Sequence, residues 1–106
     1  KLYPLTDFIA QNYMKSITVR DMADIMNMSE SNLYAVFKKT LGTSPIQYLN
    51  NCRLSVASEH LLHGNESIQS IAETVGIPDP FYFSRIFKAK YSVSPLQYRK
   101  SAQVFS

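Results

Sequence analysis

Ser44-Pro45-Ile46-Gln47-Tyr48 recurs fifty residues later as Ser94-Pro95-Leu96-Gln97-Tyr98. The residues before each copy repeat at the same spacing, since Phe37-Lys38 matches Phe87-Lys88. The chain is therefore a tandem duplication. Repeats this short rarely bury enough surface to fold alone, so we expect the two copies to share one structure.

The spacing changes by one residue further upstream. Ala23 matches Ala72, and Met28 matches Ile77, at a separation of forty-nine. One residue was therefore gained between Ile77 and Phe83, in a stretch that contains proline and aspartate. Such a change is typical of a turn of variable length between two helices.

Length and composition narrow the class of protein. The chain has 106 residues, 45% of them hydrophobic, which is enough for a core. It has no apolar run long enough to span a membrane and no signal segment, so a cytoplasmic location is expected. No nucleophile has a general base nearby in sequence and there is no glycine-rich phosphate loop, so we expect neither an enzyme nor a cofactor.

Cysteine and histidine do not predict a metal site. The single cysteine, Cys52, has no partner for an intramolecular disulfide and lies on an apolar helix face. His60 and His63 are three apart on one helix, but no further cysteine or clustered acid completes a ligand set. We expect both histidines at the surface.

The net charge of +3 is unevenly distributed. From Asp79 onward there are five basic residues and one acid, against six basic residues and seven acids before it. The five are Arg85, Lys88, Lys90, Arg99 and Lys100. A basic second half suits a polyanionic partner, although a solvated basic face has the same composition.

Helical periodicity runs through nearly the whole chain and predicts an all-α protein of about seven helices. The first four predicted helices are about 4–14, then 19–26 after a Thr18 cap, then one from a Ser29 cap to about 41, and then 45–63. The last three are one from Ser67 to Gly76, one from an Asp79 cap to about 91, and one from Ser94. In each Ser-Pro-x-Gln copy serine is the N-cap, proline the first helical residue, and glutamine can reach back to the cap.

The helix after Ser44 is the longest and changes its apolar face midway. Leu49, Cys52 and Val56 lie on one side. The other side, about a third of a turn away, carries Leu54, Ala57 and Leu61. This pattern predicts that the helix packs against one lobe first and a second lobe later, over about 28 Å at 1.5 Å per residue.

Each repeat has the residue types of a helix-turn-helix motif. A small residue, Ala23 or Ala72, stands where two helices approach most closely. Four positions on, Asn27 or Gly76 suits a left-handed turn conformation. The apolar anchors of the second helix follow, and they are Leu33, Val36 and Phe37 in one repeat and Phe83, Ile86 and Phe87 in the other.

The chain resembles the DNA-binding domain of the AraC/XylS family of bacterial transcription regulators. The resemblance rests on Arg53-Leu54, Ala57 and Leu61-Leu62, on Ile71-Ala72 and Val75-Gly76-Ile77, on Phe81 to Lys88, and on Ser94 to Arg99. It implies two helix-turn-helix lobes joined by a long helix, here about 1–45, 45–63 and 64–106. Two positions depart from the family pattern: Ser92 stands where glycine is usual, and Ile77-Pro78 replaces a phenylalanine and a polar residue.

Residues opposite the apolar anchors are the candidates for reading bases, because a recognition helix inserts that arc into the major groove. They are Ser31, Asn32, Tyr34 and Ala35 in the first lobe and Phe81, Ser84 and Arg85 in the second. Arg85 is the principal candidate, since arginine pairs with guanine O6 and N7, and Phe81 can touch a thymine methyl. The family resemblance supports the same positions.

A second group is expected at phosphates, because lysines and helix N-termini attract anions. Its members are Thr18, Lys38, Lys39, Ser44, Ser67, Lys88, Lys90 and Ser94. The reach of the long helix is close to the ~34 Å of one duplex turn, so the two recognition helices are expected in successive major grooves. Since Ala35 matches Arg85, the two halves of the DNA site should differ.

Other partners follow from the resemblance or remain as alternatives. The family makes contact with RNA polymerase conceivable, through acids such as Asp24 or Glu73. The chain has no initiator methionine and enters a helix almost directly, so we expect a C-terminal part of a longer regulator, monomeric alone and dimeric only through a missing domain, acting at the nucleoid. The alternative is a helical protein-interaction module with a basic face.

Overall fold

A computed structural model describes residues 1–104, and these residues form seven helices and no strand. The helices are α1 (Tyr3–Asn12), α2 (Val19–Met26), α3 (Glu30–Leu41), α4 (Pro45–His63), α5 (Ile68–Thr74), α6 (Pro80–Tyr91) and α7 (Pro95–Val104). The all-α prediction is confirmed. No helix in this range is long and apolar enough to cross a membrane.

Two compact units divide the chain within α4: Lys1–Cys52 forms the first and Arg53 begins the second. The division accounts for the two apolar faces of that helix. Leu49 lies in the core of the first unit with Cys52 packed against that core, whereas Leu54 and Leu61 are buried further along. The predicted change of face is confirmed, with the switch between Cys52 and Leu54. Val56, which was predicted on the first face, is half-buried beyond that switch, in the second unit.

The first unit buries one apolar cluster contributed by its helices. Fully buried Leu33 and Phe37 of α3 lie with Ile9 of α1 and Met22 of α2. The Phe37 ring meets Tyr48 edge-on, with centroids 5.8 Å apart. The tyrosine of the first Ser-Pro-x-Gln-Tyr copy therefore packs against the preceding recognition-motif helix, α3.

The second unit has a larger aromatic cluster at the matching place. Phe87 meets Tyr98 edge-on at 5.3 Å, and it also lies 4.6 Å from Tyr91 and 5.9 Å from Phe83, measured between ring centroids. Such pairs add stabilisation beyond their buried area. Tyr98 therefore packs as Tyr48 does, and with more neighbours.

Most helix ends were predicted correctly, and two were not. We expected the first helix to reach about Met14, but α1 ends at Asn12 because the N–H of Lys15 turns back to the carbonyl of Asn12. We expected the helix after Ser67 to reach Gly76, but α5 ends at Thr74. There the N–H of Gly76 bonds the Glu73 carbonyl, three residues back, which closes a tighter turn.

Candidate nucleic-acid interface

The two helix-turn-helix elbows have the same backbone geometry. Ala23 and Ala72 are almost completely buried, and their carbonyls accept hydrogen bonds from the N–H groups five residues on, at 3.0 and 2.9 Å. The residue before each of those donors has a positive φ, 60° at Asn27 and 95° at Gly76. Asparagine and glycine therefore stand at the left-handed positions that were predicted for them.

The second helix of each motif, α3 or α6, buries the side that the sequence predicted. Leu33 and Phe37 of α3 and Phe83 and Phe87 of α6 have no exposed surface. The third predicted anchor of each helix, Val36 or Ile86, is half-buried. Serine and aspartate begin these helices: Ser29 Oγ accepts from the Asn32 N–H, and Asp79 Oδ1 accepts from two N–H groups of the first turn. Each recognition helix is thus fixed by its core side and its cap, which leaves the opposite arc to solvent.

The arc of α3 offers small and polar side chains. Its four candidates for base contact, Ser31, Asn32, Tyr34 and Ala35, are all exposed. Tyr34 is the one large member and is 44% exposed. The N–H of Asn32 is occupied by its cap, so this residue can reach a base only through its side chain.

The arc of α6 is larger and carries a charge. Phe81 is 86% exposed in the first turn of the helix, and Arg85 is exposed one turn later. Ser84, which we also expected at a base, is half-buried. The guanidinium carbon of Arg85 lies 5.1 Å from the centroid of the Tyr82 ring.

Four lysines follow these arcs in the C-terminal halves of α3 and α6. Lys38, Lys39, Lys88 and Lys90 are all exposed. The ammonium of Lys90 lies 5.4 Å from the Tyr91 ring centroid. Exposed cations beside the two arcs suit contacts to the phosphate backbone, which set the register of a protein on DNA.

Three of the four helix starts expected near phosphates are capped by a serine, and the fourth, at Thr18, has an acidic neighbour. At Ser44, Ser67 and Ser94 the hydroxyl oxygen accepts an N–H of the first turn at 3.0 to 3.2 Å. Ser44 and Ser94 are half-buried, whereas Ser67 is exposed. The glutamine of the first copy was expected to reach back to the Ser44 cap, but the Gln47 side-chain oxygen instead accepts from the Thr43 hydroxyl at 2.7 Å, one residue before the cap.

Thr18 begins its helix with a carboxylate beside it. The Thr18 hydroxyl accepts from the Asp21 N–H at 3.0 Å, and the Asp21 carboxylate accepts from the Thr18 N–H at 2.9 Å. The predicted capping box is therefore present. Hydrogen bonding of the Asp21 carboxylate to the Thr18 backbone N–H, and secondarily to the Thr18 side chain, lowers the pKa of Asp21. This helix start therefore carries a negative charge that opposes an approaching phosphate.

Arg99 has a structural part that the sequence did not reveal. Its guanidinium donates to three backbone carbonyls at and beyond the end of α4: Leu61 at 3.2 Å, Gly64 at 3.3 Å and Glu66 at 2.7 Å. One feature of the sequence could have indicated this role: the two repeats differ here, since Leu49 of the first repeat matches Arg99 of the second. An arginine among terminal carbonyls satisfies groups that the helix leaves unpaired.

The two histidines of α4 form side-chain pairs near its end. His60 Nδ1 lies 3.2 Å from Glu66, and His63 Nε2 lies 3.4 Å from Glu59. Within residues 1–104 no group of three or more histidines, cysteines and acids is placed to hold a metal ion.

Burial lowers the pKa of Arg53, with a smaller opposing effect of Tyr82.

Comparison with known proteins places this geometry among regulators. A family model described as a helix-turn-helix domain matches residues 22–101. The "Lactose operon transcription activator" of Staphylococcus xylosus is 44% identical over 93 residues, which are 88% of this chain and 33% of that protein. The chain spans about a third of the length of the curated relatives it matches.

Two solved structures extend the comparison to three dimensions. The C-terminal domain of AraT, a response regulator from Geobacillus stearothermophilus, is 34% identical with a TM-score of 0.88, covering 94% of this chain and 84% of that one. The DNA-binding domain of AdpA, solved with a target DNA, has a TM-score of 0.91 and covers 97% of this chain and 93% of that one. Its identity is 21%, so it establishes a shared fold.

Proposed function

The chain belongs to the AraC/XylS family of helix-turn-helix domains, and from this premise we propose that it binds duplex DNA sequence-specifically as part of a bacterial transcription regulator. The observation that carries the proposal is the pair of exposed arcs on α3 and α6. Each arc lies opposite buried anchors and leads into exposed lysines. The proposal assigns no catalytic step to the domain.

Base reading is proposed for the arcs themselves. Arg85 is exposed and has the planar donor fork that pairs with guanine O6 and N7. Phe81, exposed one turn earlier, offers an apolar surface for a thymine methyl. The remaining candidates are Ser31, Asn32, Tyr34 and Ala35, together with the half-buried Ser84 as a minor contributor.

Phosphate contacts are proposed for the lysines first and for the helix starts second. Lys38, Lys39, Lys88 and Lys90 are exposed cations. Ser67 and the half-buried Ser44 and Ser94 keep a hydroxyl hydrogen that a phosphate oxygen can accept, because their oxygens serve as caps. Thr18 is the least favoured of these phosphate-contact candidates. Its N–H already donates to the Asp21 carboxylate, whose negative charge repels a phosphate.

The DNA site is proposed to contain two unlike boxes, one for each recognition helix in successive major grooves. Support comes from the replacement of Ala35 by Arg85 and of Ser31 by Phe81 between the two repeats. The first arc is uncharged before its lysines, whereas the second presents a guanidinium and an aromatic ring. A single chain would then read an asymmetric sequence.

Further partners are proposals for the whole regulator. The matched relatives are about three times as long as this chain, which supports a second domain that senses a signal or dimerises, with this domain monomeric alone. Exposed Asp24 and Glu73 are candidates for contact with RNA polymerase. The place of action is proposed to be the bacterial cytoplasm, at the nucleoid.

Selection of binding sites from random duplex tests the proposal. The expected motif has two different boxes whose centres lie about one turn, ~34 Å, apart. Fluorescence anisotropy on the selected site should then show that Lys38→Ala weakens binding to all sequences alike and reduces the slope of log K against log salt by about one.

The same experiment separates DNA binding from the protein-interaction alternative. A domain that uses its basic face for an acidic protein would bind the selected duplex no more tightly than random duplex. That result, or a symmetrical motif with identical boxes, would overturn the proposal.

A further inference from the structure

Arg85 is held in place before it meets any ligand. Its guanidinium carbon lies 5.1 Å from the centroid of the Tyr82 ring, three residues earlier in α6. Side chains three apart in a helix lie on the same face. A cation at this distance from an aromatic face is attracted by the ring quadrupole, so the ring restricts the orientations that the guanidinium adopts.

Tyr82 is itself fixed independently of Arg85. Its side chain is half-buried while Arg85 is exposed, and its N–H donates to the Asp79 cap at 3.4 Å. The ring is therefore part of the second unit's framework, and the arginine rests on it.

We propose that Tyr82 is a positioning residue for base reading: its ring holds the Arg85 guanidinium in the orientation from which it binds guanine. This inference rests on the proposed function. An arginine has several rotatable bonds, and ordering them opposes binding. A guanidinium that is already stacked loses less freedom when it pairs with a base, which favours the complex.

The first unit has no such arrangement at the matching positions. Asn32 stands where Tyr82 does and Ala35 where Arg85 does. The effect of the ring is therefore confined to the DNA box read by α6, and the box read by α3 serves as an internal control.

The experiment compares Tyr82→Leu, Tyr82→Phe, Arg85→Ala and the double variant Tyr82→Leu/Arg85→Ala. One duplex is the selected site, and the other is the same site with 7-deazaguanine at the guanine whose replacement Arg85→Ala tolerates. The readout is the Kd for the 7-deazaguanine duplex divided by the Kd for the selected duplex. Tyr82→Leu should lower this ratio about two- to five-fold, the range for an exposed cation and ring. Tyr82→Phe keeps the ring and should keep the ratio.

The double variant separates positioning from stability. In the Arg85→Ala background Tyr82→Leu should leave the ratio unchanged, because the side chain through which the ring acts is gone. A drop in affinity for all duplexes alike, or a drop in the ratio with Arg85 already removed, would overturn the inference. Failure of Arg85→Ala to change discrimination would instead overturn the proposed function, so the two failures are distinguishable.

A second measurement needs no substitution and remains decisive if Tyr82→Leu does not fold. Protons of the Arg85 side chain under an aromatic ring resonate upfield in NMR spectra. We expect this ring-current shift in the free protein and again in the complex with the selected duplex. Its loss in the complex would mean that Arg85 leaves the ring to read DNA, which contradicts positioning.

Discussion

The helix-turn-helix motifs of the first and second units share their backbone geometry and buried residues, and they differ in their exposed side chains. Both have a buried alanine at the elbow and a positive φ four residues after it, and both bury two large side chains of the recognition helix. The exposed positions differ, with Ala35 against Arg85 and Ser31 against Phe81. The two copies thus share the residues that form the scaffold and differ at the exposed positions proposed to read bases.

The same contrast extends to the helix that follows each motif. Leu49 contributes to the apolar core of the first unit, whereas Arg99 at the matching position donates to three backbone carbonyls. A position can therefore remain structural in both copies while its chemistry changes from apolar packing to hydrogen bonding.

Removal of the Arg99 guanidinium should have the largest effect on the free energy of unfolding. Arg99→Ala leaves carbonyls of Leu61, Gly64 and Glu66 without their donor, and we expect a loss of about 2 kcal/mol, since charged hydrogen bonds are worth ~1.5–3 kcal/mol and this site is partly exposed. The measurement is urea unfolding followed by circular dichroism.

Two matched variants sharpen the result for Arg99. Arg99→Lys keeps the charge but places its donors on one nitrogen instead of the three that reach the carbonyls in the wild type. Its stability should therefore fall between those of the wild type and Arg99→Ala. The exposed neighbour Lys100 should tolerate replacement by alanine. Equal stability of Arg99→Ala and Lys100→Ala would contradict a structural part for Arg99.

Gly42 and Ser92 end the two recognition helices with the same φ of 72°. This conformation costs a residue with a side chain roughly 1–2 kcal/mol, while glycine at the same place loses more backbone entropy. Ser92→Gly should therefore stabilise the protein by about 0.5–1 kcal/mol, and Gly42→Ser should destabilise it by a similar amount. Paired thermal unfolding curves measure both.

The Gly42 substitution also separates strain from crowding. A side-chain carbon built on Gly42 would meet no atom within 4 Å, so any loss of stability comes from the backbone conformation. If Gly42→Ser proved neutral, the left-handed turn would not be what distinguishes serine from glycine at these two helix ends.

Substitution of Asp21 should have the smallest effect on stability, and that effect should depend on pH. Its hydrogen bonds to Thr18 lower its pKa in the folded protein, so its stabilisation is complete above the unfolded-state pKa of about 3.9 and is lost as pH falls through the lower folded-state value. Asp21→Asn should be less stable than the wild type at pH 7, with the difference vanishing at the acid end of the titration.

The corresponding cap of the second unit provides the control for that titration. Ser70 stands in the place of Asp21 and does not titrate. A Ser70→Ala variant should differ from the wild type by the same amount at every pH. A constant offset for Asp21→Asn as well would contradict the linkage.

Sequence was sufficient for the features that depend on local chemistry. The caps at Thr18, Ser29 and Asp79 and the left-handed turns at Asn27 and Gly76 follow from residue types at fixed offsets, and all have the predicted geometry. The apolar anchors of α3 and α6 follow from helical periodicity in the same way.

Features that depend on contacts between distant residues could not be predicted. Arg99 reaches carbonyls more than thirty residues earlier, and nothing local to Arg99 specifies that reach. The end of α5 at Thr74 depends on how its turn closes. The half-burial of Ser84 likewise reflects its packed surroundings, which periodicity alone does not resolve.

The divergence of the two readers is tested most directly by the base specificity of Arg85→Ala. Anisotropy titrations on the selected site, with each base pair replaced in turn, should show that discrimination falls by about 1–3 kcal/mol at one guanine of one box and stays unchanged throughout the other box. Equal weakening at all positions, or unchanged discrimination everywhere, would contradict the account.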